Sequence, residues 1–124
     1  MQNNFFDTNI EEWQAQRERF NEIVLKDAPL ALKRFFSLDH QTYEAGALDA
    51  KTKELLGLAC SLVLRCDDCV LYHVIQCKQA GISKAEFLET ANIALLVGGS
   101  IVIPHLRRAV ARWEELENKP GNEA

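Results

Sequence analysis

The run from Leu55 to Leu64 is almost wholly apolar. On a helix, Leu55, Leu56, Leu58, Leu62 and Val63 fall on nearly every side, so a helix here has to be buried on several flanks at once. The rest of the chain offers only helices to do the burying. No stretch alternates apolar and polar residues with Val, Ile and Thr enrichment, and no Asn-Gly or Asp-Gly hairpin turn occurs. With 124 residues, 48% hydrophobic, the chain has the apolar mass for a single domain spanning 1–124. The expected fold class is therefore all-α, five or six helices around one core.

Local signals place those helices. Thr8 with Glu11 reads as a capping box opening an N-terminal helix over about 8–26, with Phe6, Ile10, Trp13, Phe20 and Val24 at roughly helical spacing. A second helix starts near Asp27 or Pro29, carries Leu32, Phe35 and Phe36 inward and ends near His40, a cation suited to a helix C-terminus. After a connector containing Gly46, Asp49 caps a third helix through Leu64. The fourth opens at Cys66, with Asp67 and Asp68 in its first turn, and stops at Gly81. Ser83 with Glu86 is a second capping box, beginning a helix to about Val97. Gly98, Gly99 and Ser100 break it, and a last helix uses Leu106, Val110, Trp113 and Leu116 before a polar tail over about 118–124, expected to be disordered. Two of these helices are too apolar for a small monomer to cover, which predicts a homo-oligomer.

Charge and hydropathy exclude some partners. Asp and Glu outnumber Lys and Arg by 18 to 14, the net charge is −4, and the basic residues are scattered, so no footprint for nucleic acid is present. The apolar runs Leu55–Leu64 and Ala94–Pro104 fall short of the roughly 20 residues that cross a bilayer. The N-terminus lacks the basic, apolar, small-residue order of a signal peptide, which predicts a cytoplasmic protein. In that reducing setting the four cysteines, Cys60, Cys66, Cys69 and Cys77, point to redox chemistry, metal binding or burial rather than to structural disulfides.

The stretch Arg65-Cys66-Asp67-Asp68-Cys69-Val70-Leu71-Tyr72-His73 concentrates the chemistry. With Cys66 capping a helix and Cys69 in its first turn, the two α-carbons fall about 5 to 6 Å apart, within disulfide range. Backbone N–H groups at a helix start favour thiolate, whereas the carboxylates of Asp67 and Asp68 oppose it unless they face solvent or are themselves paired. His73 follows Cys69 by one helical turn and is a natural base for its thiol proton, directly or through one water. Glu54 lies in the preceding apolar helix, where a carboxylate either faces water or is buried with a partner such as His73. Cys77 lies too far along the same face to join the pair, and Cys60 reads as a buried small hydrophobe. Tyr72 suits core or interface packing, and His105 either approaches the site from the last helix or serves as a cap or surface residue.

From Gly46-Ala47-Leu48-Asp49-Ala50-Lys51-Thr52-Lys53-Glu54, through Cys66-Asp67-Asp68-Cys69-Val70-Leu71-Tyr72-His73, to Gly98-Gly99-Ser100, the sequence resembles the carboxymuconolactone decarboxylase and alkylhydroperoxidase D-like family. The resemblance covers most of the chain after residue 30. It implies an all-helical, alkylhydroperoxidase D-like domain assembled as a homo-trimer or homo-hexamer. It further implies Cys69 as the attacking thiolate, Cys66 as the resolving thiol, and Glu54 with His73 as the proton relay. One departure is Asp68, which stands where the well-studied peroxidase of the family has a histidine directly before its second cysteine. The family's lactone decarboxylases generally lack the cysteine pair.

The expected function is thus a thiol-dependent peroxidase or disulfide oxidoreductase that reduces hydroperoxides. Its disulfide would be reopened by an external dithiol, such as a lipoyl group or a thioredoxin-like protein, with no organic cofactor or metal. One alternative is a lyase acting on a small carboxylated lactone, with Glu54 or His73 moving protons and an anion pocket drawn from Arg65, Arg107 and Arg108. The other is a metal-binding helical module, with zinc on Cys66, Cys69, His73 and Glu54, although three ligands on one helix turn strain tetrahedral geometry.

Overall fold

The computed structural model describes residues 8–119. Among them are six α-helices, one short 3-10 turn and no strand, as the sequence predicts. The described residues up to Thr42 form one compact unit and those from Tyr43 onward form another.

The first unit holds α1 (Ile10–Lys26) and α2 (Leu30–Thr42). Helix α1 starts one residue later than the Thr8–Glu11 capping box implies. Asn9 is the cap, and its side-chain oxygen accepts the Glu12 backbone N–H at 2.8 Å. Asparagine does this at least as well as threonine, so the nearer residue wins. Ile10 and Trp13 are buried, but Phe20 and Val24 are about half exposed, and Phe6 lies outside the described residues. Helix α2 buries none of its side chains. Phe35 and Phe36, expected to point inward, are exposed, because helical spacing marks an apolar face without specifying a surface that covers it.

The second unit holds α3 (Ala50–Leu64), α4 (Asp67–Gln79), α5 (Lys84–Gly98), the 3-10 turn (Ser100–Val102) and α6 (Ile103–Glu117). Helix α3 packs on α4 and α5, and α4 packs on α6. Leu58, Leu62, Leu71, Val74, Phe87, Val102 and Trp113 are fully buried where these helices meet. Each such side chain contributes about 1.5–3 kcal/mol of burial. Phe87 and Trp113 stack with centroids 4.6 Å apart, and the Lys78 ammonium lies 5.3 Å from the Trp113 ring centre.

The predicted caps are in place. Asp49 accepts the Thr52 backbone N–H at 2.7 Å, and hydrogen bonds from the Thr52 side chain and backbone hold its carboxyl below the ordinary range. Ser83 and Glu86 close their capping box at 2.8 and 3.1 Å, which likewise holds the Glu86 carboxyl low. Gly81 takes the positive φ of 81° that follows the end of α4. Helix α3, expected to be covered on several sides, is covered by the described residues only along one broad face. Leu56 and Leu64 remain exposed, and Cys60, spaced four residues from each, shares their stripe instead of being buried. No helix of the described residues is long and apolar enough to cross a membrane.

Candidate functional site

Two residues, Arg65 and Cys66, join α3 to α4. Arg65 adopts a left-handed conformation, φ 60° and ψ 40°. Its N–H reaches the Leu62 carbonyl at 3.0 Å, and the Cys66 N–H reaches the Ser61 carbonyl at 3.1 Å. This pair of bonds is the Schellman closure of a helix, made here by a residue other than glycine at a cost of about 1 kcal/mol. Cys66 then serves at once as the cap of α4.

The two thiols converge as the spacing predicts. Cys66 Sγ and Cys69 Sγ lie 2.7 Å apart, and both residues are free thiols in this structure. A disulfide of about 2.05 Å would need only a small side-chain adjustment. The Cys69 backbone N–H points at Cys66 Sγ from 3.4 Å, so the Cys66 side chain caps the open end of α4. Cys66 is half-buried. Cys69 is the more exposed residue of the two.

Next along these helices, α3 and α4 bury a carboxyl–imidazole pair. Glu54 is 8% exposed and His73 7%, and His73 Nδ1 lies 3.0 Å from Glu54 Oε2. An ionised carboxylate only accepts, so Nδ1 carries the proton and Nε2 is left to accept. The hydroxyl of Tyr43, 3.4 Å from Nε2, is placed to donate to it, and the two rings are 5.2 Å apart. Tyr72 meets the same imidazole edge-on at 5.2 Å, so it packs against the site. The seat for the ring is Gly57, where a Cβ would stand 2.6 Å from His73 Cε1. Sequence reasoning did not find Tyr43 or Gly57. Tyr43 offers no local signal, lying 30 positions from its partner, whereas a glycine inside an otherwise apolar helix was a readable sign of close approach.

The other singled-out residues separate clearly. Cys77 is buried, and burial, with the negative charge of Glu54 adding to it, pushes its thiol up to about 12. Buried and held protonated, it is set apart from the Cys66 and Cys69 thiols. His105 comes from α6 to the start of α4, where its Nδ1 lies 2.9 Å from Asp67 Oδ1. Arg108 joins it there and is thereby drawn away from any anion pocket, while Arg107 is exposed and Arg65 forms the turn. Among the described residues, no group of three or more His, Cys, Asp or Glu side chains is arranged to hold a metal ion. His40 sits exposed in the last turn of α2.

Fold and site together define a helical protein that presents a vicinal dithiol at a helix start, beside a buried acid–base pair. Residues 29–112 match the carboxymuconolactone decarboxylase family, and the chain belongs to that family. Two crystal structures of a Thermotoga maritima protein are similar to it. One is 53% identical with a TM-score of 0.87, covering 91% of this chain and 99% of that one. The other is 55% identical with a TM-score of 0.82, covering 86% and 90%, and is described as a carboxymuconolactone decarboxylase family protein for which involvement in an antioxidative response is suggested. An apo structure of a family member from Legionella pneumophila is 27% identical with a TM-score of 0.78, covering 85% of this chain and 94% of that one. Among curated sequences, an uncharacterized protein of Cupriavidus necator is 28% identical over 88 residues, 71% of this chain and 78% of its own length.

Proposed function

We propose that the protein is a thiol-dependent peroxidase that reduces hydroperoxides through Cys66 and Cys69. The observation that carries this reading is the contact of the two sulfurs at the open start of α4, one helical turn before a histidine that is buried and held by a carboxylate. His73 takes the Cys69 thiol proton, directly or through one water, while Glu54 fixes the tautomer and stabilises the imidazolium. The Cys69 thiolate attacks one peroxide oxygen, the O–O bond breaks, and the leaving alkoxide recovers the proton as an alcohol. Cys69 is now a sulfenic acid. The Cys66 sulfur attacks it, forming the S–S bond and breaking the S–O bond, and hydroxide leaves with the Cys66 proton as water. An external dithiol, of lipoyl or thioredoxin type, then gives up two electrons and two protons to reopen the disulfide. These steps call on no organic cofactor or metal and suit a reducing cytoplasm.

The antioxidative response suggested for the Thermotoga maritima protein is in keeping with a hydroperoxide-reducing role here. A lactone-directed lyase has less to rest on, since Arg108 is already engaged by Asp67. Assembly as a homo-trimer or homo-hexamer belongs to the proposal, supported by exposed side chains such as Leu64 at 76% and Leu96 at 84%. Light scattering of the purified protein reads the assembly directly.

The activity is tested by mixing reduced protein with one equivalent of an organic hydroperoxide and following intact mass and mapped peptides. The expected result is rapid loss of two hydrogens at Cys66 and Cys69. Cys69→Ser should abolish it, and Glu54→Gln should slow it by about tenfold or more. Oxidation no faster than that of a simple free thiol would overturn the reading.

A further inference from the structure

Two carboxylates stand between the cysteines of the redox pair, and in that position each opposes a thiolate. Asp67 is held across the helices by α6. Its Oδ1 accepts from His105 Nδ1 at 2.9 Å and from Arg108 Nε at 3.2 Å, and its Oδ2 accepts from Arg108 Nη2 at 3.0 Å. Arg108 therefore grips the carboxylate in a two-pronged fork, the geometry in which a guanidinium neutralises a carboxylate most fully. Arg108 Nη2 also comes within 3.3 Å of His105 Nδ1, which is the convergence of two donors on one acceptor group. The side chains of Asp67 and His105 are mostly shielded from water, at 16% and 17% exposure, so solvent screens the cluster only in part.

A tie between two helices could be made anywhere along them. This one is made on the residue that directly follows Cys66 and comes two before Cys69. The charged and titratable groups around the pair are Arg65 in the turn, Asp67 and the exposed Asp68 on α4, His105 and Arg108 on α6, and the buried Glu54 and His73. Of these, Asp67 and Arg108 are joined as a pair with no net charge.

We propose that Arg108 is a positioning residue of the redox pair: by neutralising Asp67, which His105 helps to fix, it keeps the Cys66–Cys69 turn permissive for thiolate. In this role the action runs through Asp67. The assignment deepens the thiol-redox reading and rests on it, but its test uses no peroxide, so the two can fail separately.

The test is the far-ultraviolet thiolate absorbance of the reduced protein across the neutral pH range, for wild type and four variants. Arg108→Gln leaves Asp67 uncompensated and should lower the thiolate fraction at neutral pH by about three- to tenfold, the effect of one unit charge at short range near a protein surface. Asp67→Asn leaves Arg108 uncompensated and should raise that fraction. Arg108→Lys keeps the charge and should stay close to wild type, and the double variant Asp67→Asn/Arg108→Gln should return towards it. A purely structural tie predicts something else, because breaking it from either side disturbs the turn alike. Shifts of the same direction in Arg108→Gln and Asp67→Asn, equal shifts in Arg108→Gln and Arg108→Lys, or no shift in any variant would overturn the proposal. Circular dichroism of each variant confirms that only folded protein is compared.

Discussion

The His73 imidazole occupies the space that a methyl group on Gly57 would need, with Cε1, Nε2 and Nδ1 at 2.6, 2.8 and 2.9 Å from a Cβ placed there. Helix α3 thus carries the acid that holds the ring and, one turn later, the gap that admits it. Replacing Gly57 with Ala sets two effects against each other. Helix propensity favours Ala by about 1 kcal/mol, whereas the ring must leave its seat and loosen from Glu54. The expected outcome is a folded protein whose hydroperoxide-driven disulfide formation falls by about tenfold or more, measured by stopped-flow and intact mass alongside a thermal melt. An unchanged rate would remove the His73 seat from the mechanism.

Cys77 supplies an internal contrast for thiol reactivity. Burial pushes its thiol up to about 12, so at mildly alkaline pH it stays protonated as well as inaccessible. Alkylation of the native reduced protein by iodoacetamide, mapped by peptide mass, should modify the exposed Cys69 readily and leave Cys77 unmodified until the fold is opened with denaturant.

Arg65 is the one residue other than glycine with positive φ among the described residues. Arg65→Gly removes the steric cost of that conformation, offset in part by the greater freedom of glycine in the unfolded chain. A net gain of about 0.5–1 kcal/mol is expected, read from the shift of the urea midpoint at constant slope. A loss of stability would mean that the arginine side chain contributes contacts outweighing the backbone cost.

The caps of α3 and α5 make stability depend on pH in a defined direction. The carboxyls of Asp49 and Glu86 are held low by their cap hydrogen bonds, so each stabilises the folded chain fully above the unfolded carboxylate range of about 4. That contribution is lost as pH falls through the lowered folded values. In the double variant Asp49→Asn/Glu86→Gln, the melting temperature should decline less steeply between about pH 5 and pH 2 than in wild type. An equally steep decline would assign the acid sensitivity to other groups.

How far these features could be read in advance follows from how local each one is. Asp49, Ser83 with Glu86, and Cys66 announce themselves as caps because the bond each makes ends within three residues. Glu54 and His73 were legible as partners because each is costly to bury alone, although they lie 19 positions apart. The fork of Arg108 on Asp67 spans 41 positions, and nothing in either residue's neighbourhood encodes it. Phe35 and Phe36 mark the opposite failure. Their spacing says that an apolar face exists but not which surface covers it, and within this chain they are exposed.

The single left-handed residue between α3 and α4 also governs which changes of length the chain can accept. One amino acid inserted or deleted in α3 between Glu54 and Arg65 would turn Glu54 by about 100° about the helix axis relative to that turn and to α4. Glu54 would swing off His73, with no side chain having been replaced. Point substitutions can erode this site one function at a time, but a shift in reading length would part the carboxyl from its imidazole outright. The eleven residues between Glu54 and Cys66 are therefore as much a component of the site as the side chains they separate.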